Sequence, residues 1–305
     1  MQVNKLGGPI GVRKFKDLAA RRMMLVLTFI PGFIVLLMLF GLFGKARPIL
    51  AVKPIASLLF SSVWSPLKGQ FGLWPFIMGT LWVTFVALIL AAPVSLFTAV
   101  YLSEYAPPWI REFMKPIIDL LAGIPSVVYG VWGLLLIVPL VSKVLAPLFG
   151  VYSSGYSILA AGIVLAIMIF PTIIHVSIEV FASIPYQVRE ASYSLGATKY
   201  ETVRHVVLRK GAQGILASVV LGLSRAFGET MAVLMVVGNI PKAPKSVFDG
   251  AATLPTLIAN NYGEMMTIPQ YDSALMLSAL VLLLVVLFFN VLARFILTRV
   301  ERRAE

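Results

Sequence analysis

Six stretches of this chain are each about 20 residues long and almost free of charge, the length an α-helix needs to cross the hydrocarbon core of a bilayer. They run from Met23 to Phe43, Phe76 to Leu102, about Pro116 to Leu140, Ser157 to Ile178, Gly214 to Val237 and Ser273 to Ala293. Hydrocarbon offers backbone N–H and C=O groups no partner, so such segments close their own hydrogen bonds as helices. The composition agrees: 59% of the 305 residues are hydrophobic and only 12% are charged, too little polar surface for a soluble globular domain. The expected fold class is therefore an all-α membrane protein with six transmembrane helices. Cysteine is absent, which excludes a disulfide framework and thiolate chemistry.

The first run follows Arg21 and Arg22, as a secretory signal would. Its apolar core is too long for one, and Gly44-Lys45-Ala46-Arg47 is a poor cleavage site, so it reads as a retained helix. The net charge of +12 is mostly a topology signal. With both termini on the cytoplasmic side, that side collects 17 of the 25 Lys and Arg residues, the other side collects seven, and Arg225 lies inside the fifth run. Nucleic acid is accordingly not an expected partner. Residues 1–22 become a cytoplasmic amphipathic segment suited to anionic membrane lipid, 23–43 the first helix and 44–75 an extracytoplasmic loop. Residues 76–297 become a five-helix core and 298–305 a cytoplasmic tail.

The fifth run carries two opposite charges, Arg225 and Glu229, four residues apart and so on one face of a continuous helix. Charges at this depth cost about 2.5–3.5 kcal/mol each on insertion-based scales and generally face protein or a watery route. The two residues either form a salt bridge that stabilises helix packing, or offer a guanidinium fork to an anion while Glu229 holds or releases it. Thr230 adds a hydroxyl beside them, and Gly228 permits close approach of another backbone. In the third run, Ser126 and Tyr129 follow Pro125, a residue that frees a backbone carbonyl inside a helix. That segment either lines the same route or is a packing kink. His175 reads as a packed or interfacial residue, and Asp119 and Glu179 as groups meeting water or basic partners near the cytoplasmic ends of their helices.

Between the fourth and fifth runs lies a cytoplasmic loop, residues 182–213, in which Glu190, Ala191, Ser192 and Gly196 precede Val206, Val207 and Leu208. Two short helices joined near Gly196 would make a protruding knob, with Arg189 and Lys199 among the charges that fix how a partner docks. The spacing resembles the signature of ABC importer permeases: Glu-Ala-Ala, three residues, Gly, nine residues, Ile, one residue, Leu-Pro. Ser192 stands for Ala, Val206 for Ile and Arg209 for Pro, the last removing a helix-ending proline at the exit of the loop.

The resemblance widens to the phosphate-specific members of that family through Gly79-Thr80-Leu81, Pro93 and Tyr101-Leu102-Ser103-Glu104-Tyr105-Ala106-Pro107. It continues through Leu121-Ala122-Gly123-Ile124-Pro125-Ser126-Val127-Val128-Tyr129-Gly130 and Arg225-Ala226-Phe227-Gly228-Glu229-Thr230-Met231-Ala232-Val233. The long leading segment and Trp132-Gly133 look more like the C-type than the A-type subunit of the heterodimer. The resemblance implies the ABC importer permease fold and half of a translocation path for phosphate, with Arg225, Glu229, Thr230, Ser126 and Tyr129 on the substrate path. It implies coupling to an ATPase through Arg189, Glu190, Ala191, Ser192, Gly196 and Lys199. The implied partners are a second permease subunit, a homodimeric ATP-binding subunit and an extracytoplasmic phosphate-binding protein, in a bacterial inner membrane. The chain carries no phosphate-binding Gly-rich loop of its own, so ATP and Mg would be bound by the partner ATPase and this subunit would not be an enzyme. Two alternatives remain at this stage: a permease for molybdate, tungstate or sulfate, and an ion-coupled secondary transporter.

Overall fold

A computed structural model describes residues 10–264, 267–268 and 270–304, and the side chains of these except 10–15, 293 and 296–304. Six helices are long and apolar enough to cross a membrane. In chain order the elements are α1 (Ile10–Val52), α2 (Ile55–Phe60), strands β1 (Trp64–Ser65) and β2 (Gln70–Phe71), and α3 (Trp74–Tyr105). They are followed by α4 (Pro108–Gly123), α5 (Ser126–Leu148), α6 (Ile158–Ser183), α7 (Tyr186–Ser194) and α8 (Lys199–Gly228). The chain closes with α9 (Met231–Val236), α10 (Leu254–Asn261) and α11 (Tyr271–Ala304).

Several boundaries differ from expectation. The first helix does not stop at Phe43 but runs to Val52, because Lys45 and Arg47 are good helix formers and the next break is Pro54. The expected 44–75 loop is thus largely ordered: a hairpin pairing Trp64 with Phe71 packs with Phe76 and Tyr271 in an aromatic cluster, and α2 sets Phe60 against Trp74. The third span is Ser126–Leu148 rather than Pro116–Leu140, and α4 before it is a separate helix. Pro116 lies inside α4 at its third turn, whereas Ile124 and Pro125 adopt extended backbone and break the chain there. The fifth span begins at Lys199 and passes straight through Arg209, so the position lacking the family's proline is helical. At the ends, residues 1–9 of the expected amphipathic segment and residue 305 of the tail lie outside the described residues.

The most enclosed span is α6, with 67% of its apolar window buried against 0–39% for the other five. Ser157 caps it by accepting from the Ala160 N–H at 3.2 Å. α3 lies along one side of α6 and α8 along another, with α11 beside α8 and α1 beside α11. The apolar surface of α1 is mostly exposed, as suits a lipid-facing helix; only Leu39, Leu42, Ala46, Ile49 and Leu50 join the cluster on α11. The short α10 packs inward. Its Leu254 N–H donates to Thr80 Oγ1 at 2.9 Å, and Leu254, Pro255, Thr256 and Leu257 are buried.

The α6–α8 contact is a seam of small residues. Gly211 meets Phe181, Gly214 meets Val180, Ser218 Oγ lies 2.9 Å from Ser177 Oγ, and Gly222 meets Ile173. The positions 211, 214, 218 and 222 recur at helical spacing on one face of α8. In a membrane, lipid tails are as apolar as Leu, so helices associate through close packing and buried hydrogen bonds, and small residues allow both. A Cβ on Gly214 would lie 2.3 Å from Val180 Cγ2. Gly214→Val is therefore expected to force the helices apart and destabilise the solubilised protein by about 1–3 kcal/mol. Gly32→Ala, where a Cβ meets nothing within 4 Å, should not. Thermal melting in mild detergent reads both, and an unchanged midpoint for Gly214→Val contradicts the seam.

Candidate functional site

The seam delivers Arg225 to the middle of α6. Its Nη1 donates to Thr172 Oγ1 at 2.8 Å, one turn beyond the Gly222 contact with Ile173. No ion pair joins Arg225 to Glu229 among the described residues. The physical reason is a break: α8 ends at Gly228, and Glu229 takes extended backbone at φ −73 and ψ 123 instead of continuing the helix. Glu229 Oε1 accepts from the Ala232 N–H at 3.1 Å and so caps the first turn of α9. The two charges that share a face in a continuous helix are thereby separated. The rest of the Arg225 fork is exposed and without a protein acceptor among the described residues. Thr230 Oγ1 turns back to the Gly228 carbonyl at 3.3 Å. Gly228 itself faces open space, so it serves the break and not a close approach.

Beside this break lies a second one. Pro125 has no N–H to give to the carbonyl four residues earlier, that of Leu121, and the Tyr129 hydroxyl donates to it instead at 2.7 Å. Tyr129 is 4% exposed, and its phenol serves to restore the backbone. Ser126 sits half-buried at the start of α5. Gly130 of α5 packs against Ala232 and Met235 of α9, which ties the two breaks together.

On the side of α7, two helices do meet at a glycine. α7 ends at Ser194, Gly196 turns the chain at φ +82, and Thr198 begins α8 in a capping box with Glu201. The Thr198 N–H and hydroxyl each donate to Glu201 Oε2 at 2.8 Å, and Thr198 Oγ1 accepts from the Glu201 N–H at 3.3 Å. The second helix is not short, however, but the start of α8 itself.

Of the six predicted coupling residues, Glu190, Ala191 and Gly196 are exposed, as is Leu195 at 90%. The other three brace the knob. Ser192 Oγ lies 2.9 Å from Thr202 Oγ1, and Lys199 Nζ sits 4.9 Å from the Tyr105 ring centroid. Arg189 points inward. Its Nη2 donates to Glu104 Oε1 at 2.6 Å and to the Phe181 carbonyl at 3.0 Å, its Nε to Glu104 Oε2 at 3.3 Å, and its Nη1 to the Ile184 carbonyl at 2.8 Å. Arg189 and Glu104 side chains are 11% and 7% exposed. A guanidinium spent in this way cannot read a docking partner; it bolts α7 to the ends of α3 and α6. Sequence reasoning missed Glu104, whose signal was a lone acid at the end of a span, inside a motif valued only for its resemblance.

Known proteins resemble this chain in sequence and in fold. The family model for the binding-protein-dependent transport system inner membrane component matches residues 91–305. The chain is 40% identical to the probable ABC transporter permease protein YqgH of Bacillus subtilis, over 81% of this chain and 79% of that one. It is 38% identical to the phosphate transport system permease protein PstC of Xylella fastidiosa, over 81% and 80%. Among solved structures, it superposes on a chain of a bacterial alginate ABC transporter, covering 94% of this chain and 98% of that chain, with a TM-score of 0.64 at 17% identity. For a chain of the inward-facing MetNI methionine ABC transporter, the values are 78%, 99%, 0.58 and 20%. At such identities the structural likeness speaks to fold alone.

Removing one partner of a buried ion pair leaves the other charge desolvated, a loss of about 3–5 kcal/mol. Glu104→Ala and Arg189→Ala are each expected to loosen α7, seen as faster proteolysis at Tyr186–Ser194 in the solubilised chain. The exchange Glu104→Arg with Arg189→Glu should recover part of the protection. Equal protection in all four proteins would show that the pair does not hold the knob.

Proposed function

The chain belongs to the family of binding-protein-dependent transport system inner membrane components, and on that premise we propose that it is the permease subunit of an ATP-driven phosphate importer. The observation that carries the substrate is Arg225: a guanidinium inside a membrane span, anchored to Thr172 by one N–H, with the rest of its donors uncommitted and its nearest sequence carboxylate turned away. A planar fork of donors suits a tetrahedral oxyanion, and away from bulk water the attraction is stronger than in solution. The names of relatives that are 34–38% identical, all phosphate permeases, support phosphate as that oxyanion.

On this reading an extracytoplasmic phosphate-binding protein delivers the anion, and a second permease subunit completes the path. A homodimeric ATP-binding subunit, which holds ATP and Mg, receives the knob around Glu190 to Gly196. Both termini face the cytoplasm, in keeping with the distribution of Lys and Arg. Glu229 acts as a counter-charge. While it caps α9, Arg225 is open to an anion; if the Gly228 break closes into helix, the carboxylate returns to the face of Arg225 and competes for it. A site that alternates between these states binds and then releases, which transport requires.

Arg225→Gln keeps a hydrogen-bond donor but loses the charge, and should lower phosphate uptake by about 10- to 100-fold in an assembled complex, the value of one charged hydrogen bond. Uptake of labelled phosphate by reconstituted vesicles measures it, and normal uptake would remove Arg225 from the path. Competition by molybdate, tungstate and sulfate in the same assay decides the cargo. Glu190→Lys or Gly196→Asp should leave the chain inserted while abolishing ATP-dependent uptake or ATPase copurification; retention of both would place the docking surface elsewhere.

A further inference from the structure

The polar features of α6 continue past Thr172. His175 and Glu179 follow at three and seven residues, the spacing of one helical face. Thr172 holds Arg225 at 2.8 Å, and His175 Nε2 lies 3.0 Å from Asp119 Oδ1, on α4. α4 reaches α6 with Ile110, Met114 and Ile118, which pack on Phe170, Ile174 and Ile178, and this apolar grip presents Asp119 to His175. His175 lies inside the span Ile158–Ser183, where a titratable side chain is expected to face protein or a watery route. The His175 and Asp119 side chains are 39% and 66% exposed, so the pair is no buried packing glue. It opens to the same face of α6 as Thr172 and the exposed Arg225.

We propose that His175 is a second station for the transported oxyanion, about 4.5 Å, or three residues of helix rise, nearer to α7 than the Arg225 site. The inference rests on the oxyanion-transport reading and extends it. An imidazole N–H can pass from the Asp119 carboxylate to an incoming anion, and an imidazolium offers both ring N–H groups. Asp119 sets the strength of the station. Its carboxylate pairs with the His175 ring when no anion is present and repels an anion that lingers, so the site attracts without trapping. Asp119 is four residues before Gly123, just ahead of the Ile124–Pro125 break, so α4 can carry it away from His175 without bending α5. Glu179 marks the far end of the file, where a carboxylate disfavours return of the anion.

The test uses the complete complex in vesicles with labelled phosphate, comparing His175→Ala, Asp119→Ala and the double variant. A station predicts that His175→Ala and the double variant are both slowed by about tenfold, the value of one charged hydrogen bond, with ATP hydrolysis and subunit copurification retained. A purely structural ion pair predicts that the double variant, which leaves no unpaired charge, returns to the wild-type rate; that result overturns the proposal, as does wild-type uptake by His175→Ala. If His175→Ala does not assemble, His175→Leu, closer in size, carries the same expectation. Should the wild-type complex import molybdate or sulfate instead of phosphate, the cargo reading fails alone, and the same variants are scored on the accepted anion.

Discussion

The close approach of α6 and α8 is the contact on which the rest of the protein depends. Four small side chains on α8 let its backbone settle against Phe181, Val180, Ser177 and Ile173, and the buried Ser177–Ser218 hydrogen bond fixes the register. Without a hydrophobic drive between helices in lipid, register is set by such steric fits. One turn further on, the same register brings Arg225 to Thr172. A slip by a single residue would rotate Arg225 by about 100° and point the charge into lipid or into the core. The placement of the polar site is therefore a consequence of small residues one to four turns away from it.

The second organising theme is the broken helix. At 124–125 and at 229–230 the backbone leaves helical geometry within or beside a span, and each break exposes groups that hydrocarbon cannot satisfy. The Tyr129 hydroxyl meets the Leu121 carbonyl, and the Glu229 carboxylate meets the Ala232 N–H. Polar side chains near these breaks thus have backbone duties before any duty to substrate. Tyr129 performs only the former in this state. Glu229 performs it with a charged group that stands four residues from Arg225 in the chain.

Much of this was legible in the sequence because it follows from length and hydropathy. Six apolar runs gave six spans, and the glycine between two polar helical segments marked the turn at Gly196. What escaped were features set by contacts distant in sequence. Pro116 and Pro125 both look like breaks, yet only the second breaks the chain, since Pro116 can be absorbed within α4. Arg225 and Glu229 share a face only if Gly228 stays helical, and the residue string does not say that Glu229 will find the N–H of α9. Arg189 resembles a docking charge until Glu104, 85 residues earlier, is seen beside it. Asp119 and His175, 56 positions apart, likewise read as unrelated, one as a group meeting water or a basic partner and the other as a packed or interfacial residue, until α4 is seen on α6.

The Arg189 cluster also explains how a movement at the knob can reach the polar file on the proposed reading. α7 is joined covalently to α8 through Gly196, and by Arg189 to the Glu104 carboxylate of α3 and to the Phe181 and Ile184 carbonyls at the end of α6. A push on the exposed Glu190 and Leu195 therefore acts on three spans at once, and two of these, α6 and α8, form the seam. Because the seam is packed too tightly to shear, α6 and α8 move as one body carrying Arg225, Thr172 and His175 together. The parts free to move against that body are those beyond the breaks: α4 with Asp119, and Glu229 with α9. One flank bears the carboxylate paired with His175 and the other a carboxylate turned away from Arg225, so on the proposed reading relative motion between body and flanks changes the charge along the file.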